Sequence, residues 1–221
     1  MEVVSDNRQL VSGVHIVILA VKPQDIKEVL AEIAPILDSS KVLISIAAGV
    51  SLKVISSVAG KQLRLIRAMP NIAALVLESA TALSQGGEAS AEDLELAQEI
   101  FGALGRTVVL SEALMDAVTG MSGSGPAYCA LFIEALADGG VQMGLPRREA
   151  LDLATQTVLG TARLLMEQGE HPAELKDRVA SPGGTTIAGI ASLEAKGFRS
   201  ALIEAVASAT QRSRELARIR E

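Results

Sequence analysis

The sequence is short of aromatic residues: its 221 positions hold three Phe, one Tyr and no Trp. Basic charge is short as well, with 20 Lys and Arg against 26 Asp and Glu, a formal net charge of −6. General nucleic-acid binding needs a basic surface and rings for base stacking, so both deficits exclude it. A single cysteine excludes an internal disulfide framework. One cysteine with two histidines also falls short of a structural zinc site, so no metal is expected. Long apolar runs are missing too. Those present are cut by Lys22, Gly49 or Glu134, well below the ~20 residues of a membrane-spanning helix. Glu2 and Asp6 stand where a secretory leader would need basic charge and an apolar stretch. The expectation is a cytoplasmic protein with neither a membrane nor a nucleic acid as partner.

What the chain does have is apolar residues, 49% of the total, which is ample for a core and rules out disorder. Residues 14–21 are almost continuously apolar, the pattern of a strand covered on both faces. After Pro23 the spacing turns helical, with Ile26, Val29, Leu30, Ile33 and Leu37 on one stripe. A second buried strand is predicted over 42–47, then a short helix from Ser51 whose Leu52, Ile55 and Val58 share a face, then a strand over 63–68. Such a βαβαβ series with right-handed crossovers implies a parallel sheet. Residues 88–102 read as a helix with Leu94, Ala97 and Phe101 inward, and 107–110 return to the sheet.

Strand signals stop near Glu112. Residues 126–143 are apolar almost all round, so this helix must be buried in a large core or a subunit interface. Pro146 opens another helix, in which Leu153, Ala154, Thr157, Val158, Thr161 and Leu165 repeat at helical spacing. Pro172 and Pro182 sit where first-turn prolines belong. A last helix over 199–219 carries Leu202, Ala205, Val206, Ala209 and Leu216 on one side. Its end holds Arg212, Arg214, Arg218 and Arg220, read as a solvated face that complements the helix dipole. The expected organisation is an α/β part over 1–111 followed by an all-α part over 112–221.

In an open parallel sheet, ligands bind beyond the carboxyl ends of the strands. All three predicted strands end in turn-forming sequence: AVKP over 20–23, Ala47-Ala48-Gly49, and Met69-Pro70-Asn71. Any one such turn is ordinary; three at the same structural position point to a cleft, with Lys22 and Asn71 as polar contacts. A second candidate is Ser181-Pro182-Gly183-Gly184-Thr185-Thr186 ahead of a helical stretch over 187–195. Ser181 can cap and the glycines can shape an anion-binding nest beside two hydroxyls. In the third loop, GMSGSGP over 120–126, the glycines are read as serving helix packing. His15 within its strand, His171 beside Pro172, and Cys129 in the core are read as structural. No Ser-His-Asp order, metal motif or P-loop is present, so polar chemistry would rest on a cofactor.

In these motifs the chain resembles the pyrroline-5-carboxylate reductase family. The likeness is carried by LKDRVASPGGTTIAGIASLE over 175–194, and by AVKP (20–23), SIAAG (45–49), RAMPN (67–71), GMSGSGPAY (120–128) and ADGG (137–140), in the family's order. It implies a partial Rossmann-type parallel-sheet domain followed by an all-helical dimerisation domain. The implied activity is NADPH- or NADH-dependent reduction of 1-pyrroline-5-carboxylate to L-proline. On this resemblance Asn7, Ala20, Val21, Lys22, Pro23, Ile46, Ala47 and Ala48 contact the dinucleotide. Glu112 lies near nicotinamide and substrate; Ser181, Gly184, Thr185 and Thr186 hold the substrate, with the Thr186 hydroxyl at the ring nitrogen. The implied partner is a second copy, whose helical domain contributes to the site, with assembly of dimers left open.

Two departures stand out. The family opens on a strand, a G-x-G-x-x-G turn and a helix that receives the cofactor pyrophosphate, and no such motif precedes Val14. Residues 3–7 are similar to the family's third strand region, so a βαβ portion on the order of 30 residues is expected to be absent and cofactor binding weakened. Ile72-Ala73 stands where the family has Thr-Pro. Two alternatives stay open at this point: a non-catalytic dimerisation module of that family, and a related imine or hydroxy-acid dehydrogenase.

Overall fold

The computed structural model describes residues 3–60 and 62–220. Among them five strands form one sheet in chain order: β1 (Ile16–Leu19), β2 (Val42–Ser45), β3 (Arg64–Met69), β4 (Ser79–Gly87) and β5 (Gly105–Val109). β1, β2 and β3 are parallel, β4 is antiparallel to β3, and β5 is parallel to β4. The helices are α1 (Asn7–Ser12), α2 (Ile26–Ile33), α3 (Leu52–Ala59), α4 (Ala91–Gly102), α5 (Met115–Val118), α6 (Gly125–Gln142), α7 (Arg147–Gln168), α8 (Pro172–Arg178), α9 (Thr185–Ala195) and α10 (Phe198–Arg220). By their contacts they form two compact units, Met1–Pro126 with Ala205–Glu221, and Ala127–Glu204.

In the first unit, alternation along the strands feeds two cores. Leu43 and Leu65 point to one face and pack with Leu30 and Ile33 of α2 and Ile55 of α3. Ile44, Ile66 and Leu83 point to the other and meet Ala97 and Phe101 of α4. The helices start where local chemistry tells them to. Ser51 Oγ accepts from Val54 N at 3.2 Å, and Gly60 ends α3 in the left-handed conformation at φ 66°. Ser90 and Asp93 form a reciprocal capping box on α4.

Four expectations need correction in this unit. β1 is not covered on both faces: it lies at the end of the sheet, its burial alternates, and Ile18 is 44% exposed. The sheet is not wholly parallel, because β4 enters antiparallel after a short connection that needs no crossover helix. Residues 3–7 form no strand among the described residues; Asp6 caps α1, its side chain accepting from Arg8 N and Gln9 N. His15 lies before β1, exposed, and joins the sheet only through its carbonyl, which accepts from Val42 N at 2.8 Å.

The second unit is built differently. Ala137, Ala150 and Ala154 bury the contact of α6 with α7, and small side chains there let the helices approach closely. Phe132 of α6 also meets Phe198 of α10, with ring centroids 5.9 Å apart, but part of the helix is exposed: Leu131 is 67% exposed and Leu136 is exposed with it. Cys129 is exposed rather than core: it lies within one turn of the exposed Leu131 and Phe132, at positions where apolar spacing alone asked for cover. An apolar groove of ≈ 490 Å³ runs between α7 and α8, lined by Leu164, Leu165, Leu175 and Val179. Among the described residues no helix is long and apolar enough to cross a membrane.

One polar staple holds α4 to the sheet. Asp93 is buried, accepts from Arg64 Nε at 2.8 Å and from Ser90 N at 2.8 Å, and pairs with Arg64 Nη2. The Arg64 guanidinium holds the Asp93 carboxyl below its ordinary range, against the opposing effect of burial. A depressed folded value means that the stabilisation is fully present above the ordinary carboxylate range and is lost as pH falls through the folded value. Asp93→Asn is therefore expected to cost about 1–3 kcal/mol at neutral pH. Urea denaturation of the two proteins checks this, and the gap between them should narrow below about pH 4.

Candidate functional site

The register of the parallel strands brings their exits to one edge. Leu19 pairs with Ser45 and Ser45 with Arg67, so the turns after β1, β2 and β3 leave the sheet at nearly the same level. Ile46 N donates to Leu19 O at 3.1 Å, which extends the pairing into the second turn. The predicted cleft of Ala20 to Pro23, Ile46 to Gly49, and Asn71 is thus assembled. Ala47 is buried, Val21, Pro23, Ile46 and Ala48 are half-buried, and Ala20 and Lys22 are exposed. Gly49 takes φ 67°, a conformation that favours glycine. Ala47, Ala48 and Gly49 carry nothing beyond Cβ, so a flat ring can lie against their backbone; the strand ends fit the nicotinamide half of a dinucleotide. Asn7 opens α1 and its side-chain amide donates to Glu32 at 2.8 Å.

A pocket of ≈ 240 Å³ lies at this edge, with Pro23, Ala48 and Gly49 on one side and Thr119, Ser124, Arg212 and Ser213 on the other. Sequence reasoning missed the second wall. It is made by a single π-helical turn, Thr119–Gly123, and by the last half of α10. Gly120 lets them touch, as expected of a packing glycine: a Cβ there would lie 2.8 Å from both Thr210 N and Val206 O, and would strike Thr210 Oγ1. The pocket hydroxyls have spent their hydrogens internally. Thr119 Oγ1 donates to Met115 O at 2.9 Å, Ser124 Oγ to Thr119 O at 3.1 Å and Ser213 Oγ to Asp116 at 2.6 Å. What they offer a ligand is lone pairs. Arg212 is the cation of this wall; it bonds Glu215 at 3.0 Å and holds that carboxyl below its ordinary range.

Two residues beside the cleft are engaged within the protein. Asn71 accepts from Ala73 N at 3.1 Å and donates to Ser122 O at 3.0 Å, which ties the end of β3 to the π-helical turn. Glu112 Oε1 accepts from Leu52 N, the first N–H of α3, at 2.7 Å, and from Arg67 Nη1 at 3.1 Å.

The other predicted loop lies in the second unit. Gly184 N donates to Ser181 O at 3.0 Å and Gly183 takes φ 68°, so 181–184 form a turn with Pro second and Gly third. This corrects two expectations: Pro182 is not in the first turn of a helix, and Ser181 caps none. The Pro-Gly pair satisfies a turn before helical spacing begins, and α9 starts at Thr185 with Gly184 as its N-cap. No side chain caps that end, so the first N–H groups of α9 remain for a ligand. Thr186 is half-buried there and Thr185 exposed. His171 is structural as expected, accepting from Ala173 N at 3.1 Å ahead of Pro172. Among the described residues no group of His, Cys, Asp and Glu side chains could hold a metal ion.

Comparison with known proteins gives consistent matches. Residues 112–216 match the family model for pyrroline-5-carboxylate reductase dimerisation, and 1–49 match a model described as NADP oxidoreductase, coenzyme F420-dependent. The chain is 51% identical to a pyrroline-5-carboxylate reductase of Methanosarcina acetivorans, over 98% of this chain and 80% of that protein. Its identity to the Pisum sativum enzyme is 50%, over 97% and 78%. A solved pyrroline-5-carboxylate reductase from Coxiella burnetii superposes with a TM-score of 0.93 at 39% identity, covering 96% of this chain and 80% of that one. A Plasmodium falciparum pyrroline carboxylate reductase with NADP bound gives 0.89 at 34%, covering 97% and 81%.

The seat at Gly120 is open to a direct test. Gly120→Ala should destabilise the chain by about 1–3 kcal/mol through overpacking. Adding Thr210→Ala should recover little, since two of the three clashes are with backbone. Denaturation midpoints of the single and double variants measure this; full recovery in the double variant would show that only the Thr210 side chain matters.

Proposed function

The chain belongs to the pyrroline-5-carboxylate reductase family, and from that premise we infer that it reduces 1-pyrroline-5-carboxylate to L-proline with NAD(P)H, the last step of proline biosynthesis. The observation that carries this reading is 51% identity to such a reductase over 98% of the chain. The arrangement of small residues at the strand ends and an uncapped helix start after the 181–184 turn agrees with it.

A cyclic imine is a weak electrophile until its nitrogen is protonated or strongly hydrogen-bonded. When bound, the reduced nicotinamide supplies the hydride for the ring carbon beside that nitrogen. The remaining tasks fall to the chain. Ala20, Val21, Lys22, Pro23, Ile46, Ala47 and Ala48 hold and orient the cofactor at the sheet edge, with Asn7 as a further contact. Gly184 N–H is taken by Ser181 O, so the backbone N–H groups of Thr185 and Thr186 receive the substrate carboxylate at the start of α9, where the helix dipole favours negative charge. Ser181 shapes that loop, Thr185 borders it, and Glu112 lies near the nicotinamide. Thr186 Oγ–H donates to the ring nitrogen, a contact that strengthens as hydride arrival pushes electrons onto that nitrogen, which takes its proton from water. No strong base is needed, since position supplies most of the rate.

The working form is a cytoplasmic homodimer, with the cofactor domain over 1–111 and the dimerisation and substrate domain over 112–221. The match of 112–216 to a dimerisation family supports this, as do the exposed apolar residues of α6 and the groove between α7 and α8. A lone thiol and no disulfide suit a reducing compartment.

Pyrroline-dependent oxidation of NADPH, with proline identified as product, tests the function; a folded chain that turns over no pyrroline-5-carboxylate contradicts it. Thr186→Ala should lower kcat by about 10–100-fold, the loss of one charge-assisted contact of about 1.5–3 kcal/mol, while leaving thermal stability nearly unchanged. An unaltered kcat removes Thr186 from the chemistry. Leu131→Glu should shift the chain toward monomer in sedimentation at micromolar concentration, whereas an unchanged oligomer places the interface elsewhere.

A further inference from the structure

The loop 46–51 carries three of the proposed cofactor contacts, and both of its ends lead to Arg67, one through strand pairing and one through Glu112. At its start Ser45 pairs across the sheet with Arg67. At its end Leu52 N, the first helical N–H of α3, donates to Glu112 Oε1 at 2.7 Å. Arg67 closes the circuit: its side chain is 7% exposed, and its Nη1 donates to that same Oε1 at 3.1 Å. Glu112 is distant in sequence from both partners and follows β5, which runs opposite to β1, β2 and β3, so nothing local in the chain requires it to be there.

We propose that Glu112 and Arg67 are positioning residues, an ion pair that sets the start of α3 and thereby holds Ile46, Ala47 and Ala48 at the height the cofactor requires. The inference rests on the cofactor assignment made under the proposed function. A buried guanidinium demands a counter-charge, and a carboxylate at a helix start is favoured by the dipole; one side chain meets both demands. The loop between the two ties is short and includes Gly49 at positive φ, a residue that holds no geometry of its own. Without the Glu112 tie, the loop end is held by the Ser51 cap and the packing of Val50 and Leu52, which fix its depth in the core more strictly than its height at the sheet edge. A drift of about 1 Å at a reacting centre costs up to ~100-fold in rate.

The test compares Glu112→Ala, Glu112→Gln and Arg67→Met with the wild-type chain. NADPH affinity is read by fluorescence titration without substrate, and kcat and KM for pyrroline-5-carboxylate at saturating NADPH. Glu112→Ala should raise the NADPH Kd about tenfold or more while KM for the pyrroline changes less than about threefold. Glu112→Gln keeps an acceptor for Leu52 N and should fall between wild type and Glu112→Ala, so it decides the matter if the alanine variant does not fold. Arg67→Met should likewise weaken NADPH and spare the pyrroline KM. An unchanged NADPH Kd with a raised pyrroline KM makes Glu112 a substrate contact and overturns the proposal. So does a parallel fall of every parameter with the melting temperature, which marks a purely structural pair. A wild-type chain that binds NADPH but does not reduce the pyrroline removes the functional reading and leaves the Kd comparison to judge the pair; one that binds no NADPH overturns both.

Discussion

The second half of α10 approaches the π-helical turn so closely at residue 120 that a single methyl group there would meet the backbone of Thr210 and of Val206. Close approach of two backbones gains dispersion contacts along the whole seam, and it is available only where the side chain is hydrogen. From this seat the rest follows. Ser213 is placed to bond Asp116, Arg212 faces the strand ends, and the pocket formed with Pro23, Ala48 and Gly49 gains its second wall. The turn itself widens a helix that α5 begins, which turns Thr119 and Ser124 toward the pocket with their hydrogens already committed to the backbone.

Much of this arrangement could be read from residue patterns, and the failures have common causes. β2, β3, α2 and α3 follow from apolar periodicity because their side chains face cores that close within the unit. β4 escaped because 79–87 contains only Thr81 and Leu83 as strong strand formers; its place is decided by neighbours on both sides. β1 misled: it reads as covered on both faces, yet Ile18 is exposed, because a hydrophobic pattern reports that cover is needed and not which element supplies it. For α6 the same pattern left a core and a subunit interface both open, and Leu131 is exposed in the single chain. At the site, the small residues after each strand were legible. Arg67 was not, since a cation inside a strand gives no local sign of a partner found far along the chain.

The chemistry asked of these residues is undemanding in acid–base terms and strict in geometry. In the proposed mechanism no histidine or carboxylate at the strand ends has to change its charge, and recognition would rest on backbone N–H groups, hydroxyls and the absence of side chains. Such features tolerate substitution elsewhere. That accords with a TM-score of 0.93 to the Coxiella burnetii reductase at only 39% identity. It also explains why the 181–184 turn matters: Gly183 at positive φ and Gly184 at the helix start present backbone where any larger residue would present itself.

Everything at the site serves one event, the passage of hydride from the nicotinamide to the imine carbon of a pyrroline carboxylate held on this chain. Turnover with NADPH deuterated at the transferring position, followed by mass spectrometry and NMR of the product, measures it directly. Direct transfer gives proline carrying one deuterium, on a single face, at the ring carbon that flanks the nitrogen on the side away from the carboxylate. Proline formed without deuterium, or cofactor oxidised without labelled proline, would contradict it.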